Sequence, residues 1–316
     1  MIKKAFIGID TSNYTTSFAI CDINGRILNN YKILLPVKEG ERGLRQSDAV
    51  FAHIKNLPLI AKKIKDDCNN YEILAIGHSA YPRDVKGSYM PCFLVGKAIS
   101  DILASLYKVD NYEFSHQVGH IRAAVYSSGA QVDDSFIAFH ISGGTTEILY
   151  VNNENDSYTI DLIGGSNDLH AGQAIDRIGV KMGLKFPCGS KMESLAKENI
   201  VNIPKYHVSV TDFHCNLSGL ENIATSLFEE TKDNKLVSAL VLDFISKTII
   251  KLTENLREIH PDKQIIYAGG VMSNSIIQNN IKLKFTNVYF ATPEFSSDNA
   301  SGIALLTRTR YLNKEE

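Results

Sequence analysis

The sequence predicts an α/β protein built from two copies of one mixed domain. Three observations carry this. A meander of three strands followed by helices alternating with single strands occurs twice along the 316 residues. The two meanders also match locally: Thr15-Thr16-Ser17-Phe18-Ala19-Ile20 parallels Thr145-Thr146-Glu147-Ile148-Leu149-Tyr150, each after a strand and a small polar turn. Finally, the length suits about two domains. The expected division is 1–130 and 131–316, the second domain carrying a helical insertion.

In the first half, Ala5–Asp10 reads as a strand, Thr11-Ser12-Asn13-Tyr14 as a polar turn and Thr15–Cys21 as a second strand. Asp22-Ile23-Asn24-Gly25 then turns into a third, 26–35. After a polar loop over 36–45, apolar residues at Val50, Ile54, Leu57, Ile60, Ala61 and Ile64 have helical spacing. Pro58 is expected to kink or split that helix. A buried strand over 72–77, a helix over 91–107, a short strand over 112–115 and a helix over 116–126 complete the half. The second half repeats the order with strands at 135–141, 145–151 and 157–163. Helices follow at 171–183, 191–199, 218–231 and 235–259, then strands at 264–268 and 288–291 and helices at 273–283 and 298–312. Two such domains facing one another form the duplicated actin-like, ribonuclease H-like architecture, with ligands in a cleft between them.

Composition narrows the class. With 44% hydrophobic and 22% charged residues and only 8 Pro, the chain is neither low-complexity nor disordered. Lys+Arg 33 against Asp+Glu 35 gives a net charge of -2, which speaks against a protein that coats nucleic acid. No apolar run reaches the ~18 residues of a membrane span. The apolar start is too brief for a signal peptide and is read as a strand. Five scattered cysteines without a C-x-x-C pair fit a reducing cytoplasm.

Three small-residue turns end strands. Ser142-Gly143-Gly144-Thr145-Thr146 lets backbone N–H groups converge without Cβ obstruction, which suits phosphate oxygens. Thr11-Ser12 is a weaker counterpart. Tyr267-Ala268-Gly269-Gly270-Val271 precedes a helix, whose N-terminus favours anions. Each Gly pair alone could be only a turn. Together they point to a nucleotide. There is neither a Walker-type P-loop nor a G-x-G-x-x-G after the first strand.

His116 and His120 lie four apart at a helix start, so both imidazoles share a face and can hold one ion. Residue 117 is Gln, so the H-E-x-x-H of zinc peptidases is absent. Asp298, at the start of the last predicted helix, is the candidate third ligand; as an N-terminal acid it would equally suit the macrodipole. Asp10, closing the first strand, could serve metal-bound phosphate through water, or merely shape a turn. Asp176, on a predicted helix, could accept from a ribose or pair with a lysine.

These stretches resemble the tRNA N6-adenosine threonylcarbamoyltransferase family, formerly labelled O-sialoglycoprotein endopeptidase. The resemblance runs through Gly8-Ile9-Asp10-Thr11-Ser12, His116-Gln117-Val118-Gly119-His120, Ser142–Thr146, Ala171–Asp176 and Phe186-Pro187-Cys188-Gly189. It continues through Ser218-Gly219-Leu220, Gly269–Asn274 and Ser297-Asp298-Asn299-Ala300. It implies an actin-like fold and metal ligands His116, His120 and Asp298. It implies nucleotide and substrate contacts at His140, Ile141, Ser142, Gly143, Gly144, Asp176, Gly189 and Asn274, to which the turns add Asp10, Thr11, Ser12, Gly269 and Gly270. The implied cofactors are one divalent metal (Fe or Zn, with Mg or Mn open) and ATP or an acyl-adenylate. The implied partners are tRNA, a related actin-like subunit and a small ATPase, in the cytoplasm. The implied reaction moves threonylcarbamoyl from its adenylate to N6 of the adenosine beside the anticodon.

The sequence departs from the family at chemically telling places. The family's Asp-Glu pair falls on Tyr14-Thr15, and its His after Ser-Gly-Gly is Thr145. Its Gly-Pro-Gly-Leu stretch is replaced around Tyr81–Val85, and Phe213–Leu220 runs one residue longer. The chain therefore reads as a divergent paralogue. The resemblance with these departures implies a carbamoyl transferase whose acceptor can differ, or a non-catalytic ATP-binding scaffold or regulatory subunit.

Overall fold

The computed structural model describes residues 3–12, 14–36, 44–68, 71–155 and 157–315. Most of the polar loop expected over 36–45 and one residue of each of two predicted turns, Asn13 and Asp156, lie outside that set. The chain divides into two units, residues 1–127 with 153–160 and 297–316, and residues 128–152 with 161–296.

The first unit is a three-layer sandwich. Its strands are β1 (Lys3–Ser12), β2 (Thr15–Asp22), β3 (Ile27–Leu34), β4 (Tyr71–Tyr81) and β5 (Asp110–Ser115). Its helices are α1 (Gln46–Cys68), α2 (Phe93–Tyr107) and α3 (His116–Ser128). The sheet order is β3-β2-β1-β4-β5, antiparallel across β1–β2–β3 and parallel across β1–β4–β5. From Ala5 onward β1 is wholly buried, as a central strand covered on both faces must be. Ala5, Ile7 and Ile9 pack with Phe18, Ile20, Ile60 of α1 and Ala104 of α2. Phe6, on the opposite face, packs with Ala19, Ala75, Ala304 and Leu305.

The second unit repeats the plan. β6 (Ser135–Ile141), β7 (Thr146–Glu154) and β8 (Ser157–Ser166) form its meander, apart from residues 153–160 around the β7–β8 turn, which are grouped with the first unit. α4 (Ala171–Lys181), α5 (Gly189–Lys197), β9 (Ser209–Thr211), β10 (His214–Asn216), α6 (Ser218–Thr231) and α7 (Asn234–Ile259) follow. β11 (Ile265–Ala268), α8 (Ser275–Lys282), β12 (Val288–Phe290) and the single turn α9 (Pro293–Ser296) end it. Its order, β12-β11-β6-β7-β8-β10-β9, contains the first sheet's pattern in the same sense: β8-β7-β6-β11-β12 corresponds to β3-β2-β1-β4-β5. The core lies between Ile137, Phe139 and Ile141 of β6 and the apolar flank of α7. Tyr267 stacks between Phe139 and Phe290 at 4.9 and 4.8 Å, and its hydroxyl meets Thr253 Oγ1 at 2.7 Å, so its polar tip is satisfied. Asp233 caps α7 by accepting from Lys235 and Leu236 N–H, worth about 1 kcal/mol.

Three expectations differ from what is seen. The last helix, α10 (Ser301–Glu315), belongs to the first unit, not the second, because Ala300, Ala304 and Leu305 fill the β-sheet face opposite α1 and α2. The helix begins at Ser301, so Asp298 precedes it in a bend rather than opening it. α1 runs unbroken through Pro58. The carbonyl that Pro58 leaves without a helical donor is that of Ile54, an exposed residue, where water can replace the lost bond. Among the described residues, no helix is long and apolar enough to cross a membrane.

Candidate metal centre and glycine turns

β5 passes directly into α3, so His116 is the first helical residue. Ser115 fixes this junction: its hydroxyl accepts from Val118 N–H at 3.2 Å and donates to Asp84 Oδ2 at 2.7 Å. One helical turn separates His116 from His120, and their rings meet edge to face with centroids 4.3 Å apart. Asp298 arrives from the far end of the chain. Its bend is held by Asn299, which donates to Ser297 O at 2.7 Å and accepts from Ser301 N–H at 3.0 Å.

What brings α10 beside α3 is the absence of side chains. A Cβ on Gly302 would stand 1.8 Å from the Gly119 carbonyl oxygen, and one on Gly119 would meet Ile303 at 2.8 Å. Gly8 lets α10 lie equally close to β1, since a Cβ there would be 2.4 Å from Ala304 N.

His116, His120 and Asp298 thus converge within one unit. His120 Nε2 lies 2.9 Å from His116 Nε2 and 3.1 Å from Asp298 Oδ1; His116 Nε2 is 3.7 Å from the same oxygen. The three are candidate ligands with a donor set that fits a divalent metal. Ligand atoms ~2.05 Å from a tetrahedral ion stand about 3.3 Å apart, inside the observed spread. Two imidazoles and one carboxylate suit Zn or Fe. Two Nε2 atoms facing one another beside a carboxylate also call for a shared positive charge.

Charge around the triad follows from its carboxylates. Burial opposes protonation of His116, but the Asp10 carboxylate beside it, with Asp298 beyond, lifts its pKa to about 9. Burial would raise Asp298, yet the hydrogen bond from His120 and the two imidazoles hold it well below the usual carboxylate range. Asp10 is completely buried. It lies within β1, two residues short of the strand's end. Its Oδ1 is 3.0 Å from His116 Nδ1 and accepts from Ser79 Oγ, while Oδ2 has no hydrogen-bond partner among the described residues.

The other predicted residues divide. Thr11 does not offer its hydroxyl outward: it donates to Cys92 O at 2.9 Å and accepts from Gly96 N–H at 3.0 Å, anchoring the start of α2. Ser12 is buried, and its hydroxyl turns to the Asp298 carboxylate, adding to the contacts that hold that acid low. In the second unit several turns gather. A Cβ on Gly172 would meet Ser142 O at 2.5 Å, so the start of α4 rests on the Ser142–Gly143 turn. Gly269 has φ +97°, and a Cβ there would stand 2.2 Å from Ile141 O. His140, the penultimate residue of β6, lies opposite Glu147 and Ala268. Gly143, Gly144, Gly189 and Gly270 have open space where a Cβ would be. Asp176, pushed up by burial, accepts from Cys188 N–H at 2.8 Å and so fixes the entry to α5 at Gly189. Asn274 caps α8 by accepting from Ile276 and Ile277 N–H at 3.0 and 3.3 Å.

Ser79 and His53 were not legible beforehand. His53 of α1 is fully buried, with Nδ1 2.8 Å from Thr16 Oγ1, which also accepts from Asn56 Nδ2. Burial lowers its pKa. A lone His inside an apolar helical pattern and a lone Ser in a strand carry no spacing signal. The two positions of the missing acidic pair serve the backbone: Tyr14 O accepts from Leu35 N–H at 2.8 Å, and Thr15 is buried within β2.

Two repeated sheets with this strand order define an actin-like ATPase-fold protein. The fold is shared with the activator of the 2-hydroxyisocaproyl-CoA dehydratase from Clostridium difficile, solved with bound ADPNP (TM-score 0.56, 13% identity, covering 98% of this chain and 97% of that one). It is shared with full-length HypF in its phosphate- and nucleotide-bound form (TM-score 0.61, 11% identity, 100% of this chain and 47% of that one). Residues 38–305 match the family model of tRNA N6-adenosine threonylcarbamoyltransferase, and the chain belongs to that family. The tRNA N6-adenosine threonylcarbamoyltransferase of Streptococcus suis (strain 05ZYH33) is 26% identical over 327 residues, covering 100% of this chain and 94% of that protein.

Proposed function

We propose that this chain is a metal- and adenine-nucleotide-binding carbamoyl transferase that moves threonylcarbamoyl from its adenylate to N6 of the adenosine beside the tRNA anticodon. The convergence of His116, His120 and Asp298 is the observation that carries the reading. A divalent ion there, Fe or Zn by donor preference with Mg or Mn open, would supply Lewis-acid polarisation of an acyl or phosphoryl oxygen. The chain's own residues orient and bind. Gly143, Gly144 and Gly270 leave backbone open for phosphate oxygens. Asp176, whose Oδ1 accepts from Cys188 N–H, is suited to accept from a ribose hydroxyl through its other oxygen. Gly189 gives close approach beside it. Asn274 contributes through its turn, since its Oδ1 is engaged with α8. The working surroundings follow the family: cytoplasm, a tRNA acceptor, a related actin-like subunit and a small ATPase.

A second reading, a non-catalytic nucleotide-binding subunit, is favoured by Tyr14, Thr15 and Thr145 at the family's acidic and His positions. One assay separates the two: turnover of threonylcarbamoyl-adenylate with a tRNA transcript, by wild type and His116→Ala. The transferase reading expects turnover that falls by more than about 100-fold in the variant, since even outer-shell changes at metal sites cost 10–100-fold. Nucleotide binding without turnover in the wild type would establish the scaffold instead.

A further inference from the structure

We infer that Asp10 is a positioning residue for His116, itself held by Ser79, and that its carboxylate sets which imidazole nitrogen faces the metal. The inference rests on His116 being a ligand.

An imidazole that ligates through Nε2 must keep its proton on Nδ1, and a hydrogen bond at Nδ1 decides this. Asp10 Oδ1 stands 3.0 Å from Nδ1 and, as a carboxylate, can only accept. The inner proton is thereby held on Nδ1, and Nε2, the nitrogen that gives up its proton when an ion binds, is turned toward His120 and Asp298. Asp10 cannot swing away to do otherwise. It sits on a central strand with no exposed surface, and Ser79 Oγ on the neighbouring strand donates to the same oxygen. A buried carboxylate is costly unless its charge is compensated, so a hydrophobic side chain would pack β1 better if packing were its purpose. The sequence pattern leaves Asp10 either serving metal-bound phosphate through water or shaping a turn. Geometry gives Oδ1 two protein partners instead and leaves only Oδ2 without one among the described residues.

The test is cobalt(II) titration of the metal-free full chain, in competition with a chelator and read by visible absorption. It compares wild type, Asp10→Ala, Asp10→Asn, Ser79→Ala and His116→Ala. Asp10→Ala should bind one cobalt about 10–100-fold more weakly, with shifted d–d bands. Asp10→Asn keeps an acceptor oxygen and should recover part of the affinity; Ser79→Ala should weaken it less. Circular dichroism and Tm establish folding, and if Asp10→Ala does not fold, Asp10→Asn and Ser79→Ala decide. Cobalt affinity and spectra unchanged in the folded variants would overturn the inference. A wild type that binds no cobalt, or binds it as His116→Ala does, would overturn the metal reading beneath it.

Discussion

Asp168 closes the N-terminus of α6 from fifty residues upstream. It accepts from Leu169 N–H at 2.5 Å, Leu217 N–H at 2.7 Å and Ser218 N–H at 3.1 Å. Burial would raise its pKa, but these hydrogen bonds and Ser218 hold it at about 2, below the ordinary 3.8. The sign is that of a depressed acid: its stabilisation is complete above the unfolded pKa and is lost as pH falls through about 2. Asp168→Asn should lower stability near pH 7 by roughly 1 kcal/mol, because it trades charge-assisted hydrogen bonds for neutral ones, and the gap to wild type should narrow as pH falls toward 2. Denaturant unfolding across pH 2–7 checks both. This cap was hidden because a cap from outside its own helix leaves no local pattern. His116 and His120 were legible because their spacing is itself the geometry. Thr11 misled because a Thr beside a strand end looks the same whether its hydroxyl faces a ligand or anchors a neighbouring helix.

At the scale of elements, the α3–α10 contact sets the triad. Gly302→Ala places a methyl 1.8 Å from Gly119 O, forcing the helices apart at a cost of about 1–3 kcal/mol. Asp298, three residues before α10, should move with it, so cobalt affinity should fall along with Tm. Gly219→Ala in α6 is the control: a Cβ there meets nothing within 4 Å, and neither quantity should drop. Calorimetry and the cobalt titration measure the pair. The long elements were readable because each must show one period to bury one face. β9, β10 and α9 were not, since three or four residues carry too little period to register. Pro58 misled because its consequence depends on whether the freed carbonyl reaches water, which is a tertiary fact.

For the molecule as a whole, the duplication was visible in element order and is realised as one strand order used twice. The boundary was only half visible, because a helix's partner cannot be read from its own residues. Net charge offers tRNA no general attraction. Lys62, Lys63 and Lys65 of α1 are exposed, whereas Arg308 is tied to Ile23 O and Lys314 to Asp110. Binding should therefore rest on few phosphate contacts: with three, affinity for a tRNA anticodon stem-loop should fall roughly 20- to 40-fold between 50 and 200 mM salt. Fluorescence anisotropy across that range measures the slope, and no binding at the low end would remove tRNA as the acceptor.

The first unit is assembled from both ends of the sequence, with the second unit between them. On the ribosome this has an order of events built in. His116 and His120 emerge early, but Asp298 follows only 178 residues after His120. A nascent chain can finish its second unit before α10 exists to close the first sheet. The His116, His120 and Asp298 cluster is therefore among the last features to appear, and a chain halted before residue 298 can carry intact glycine turns yet lacks the third candidate ligand.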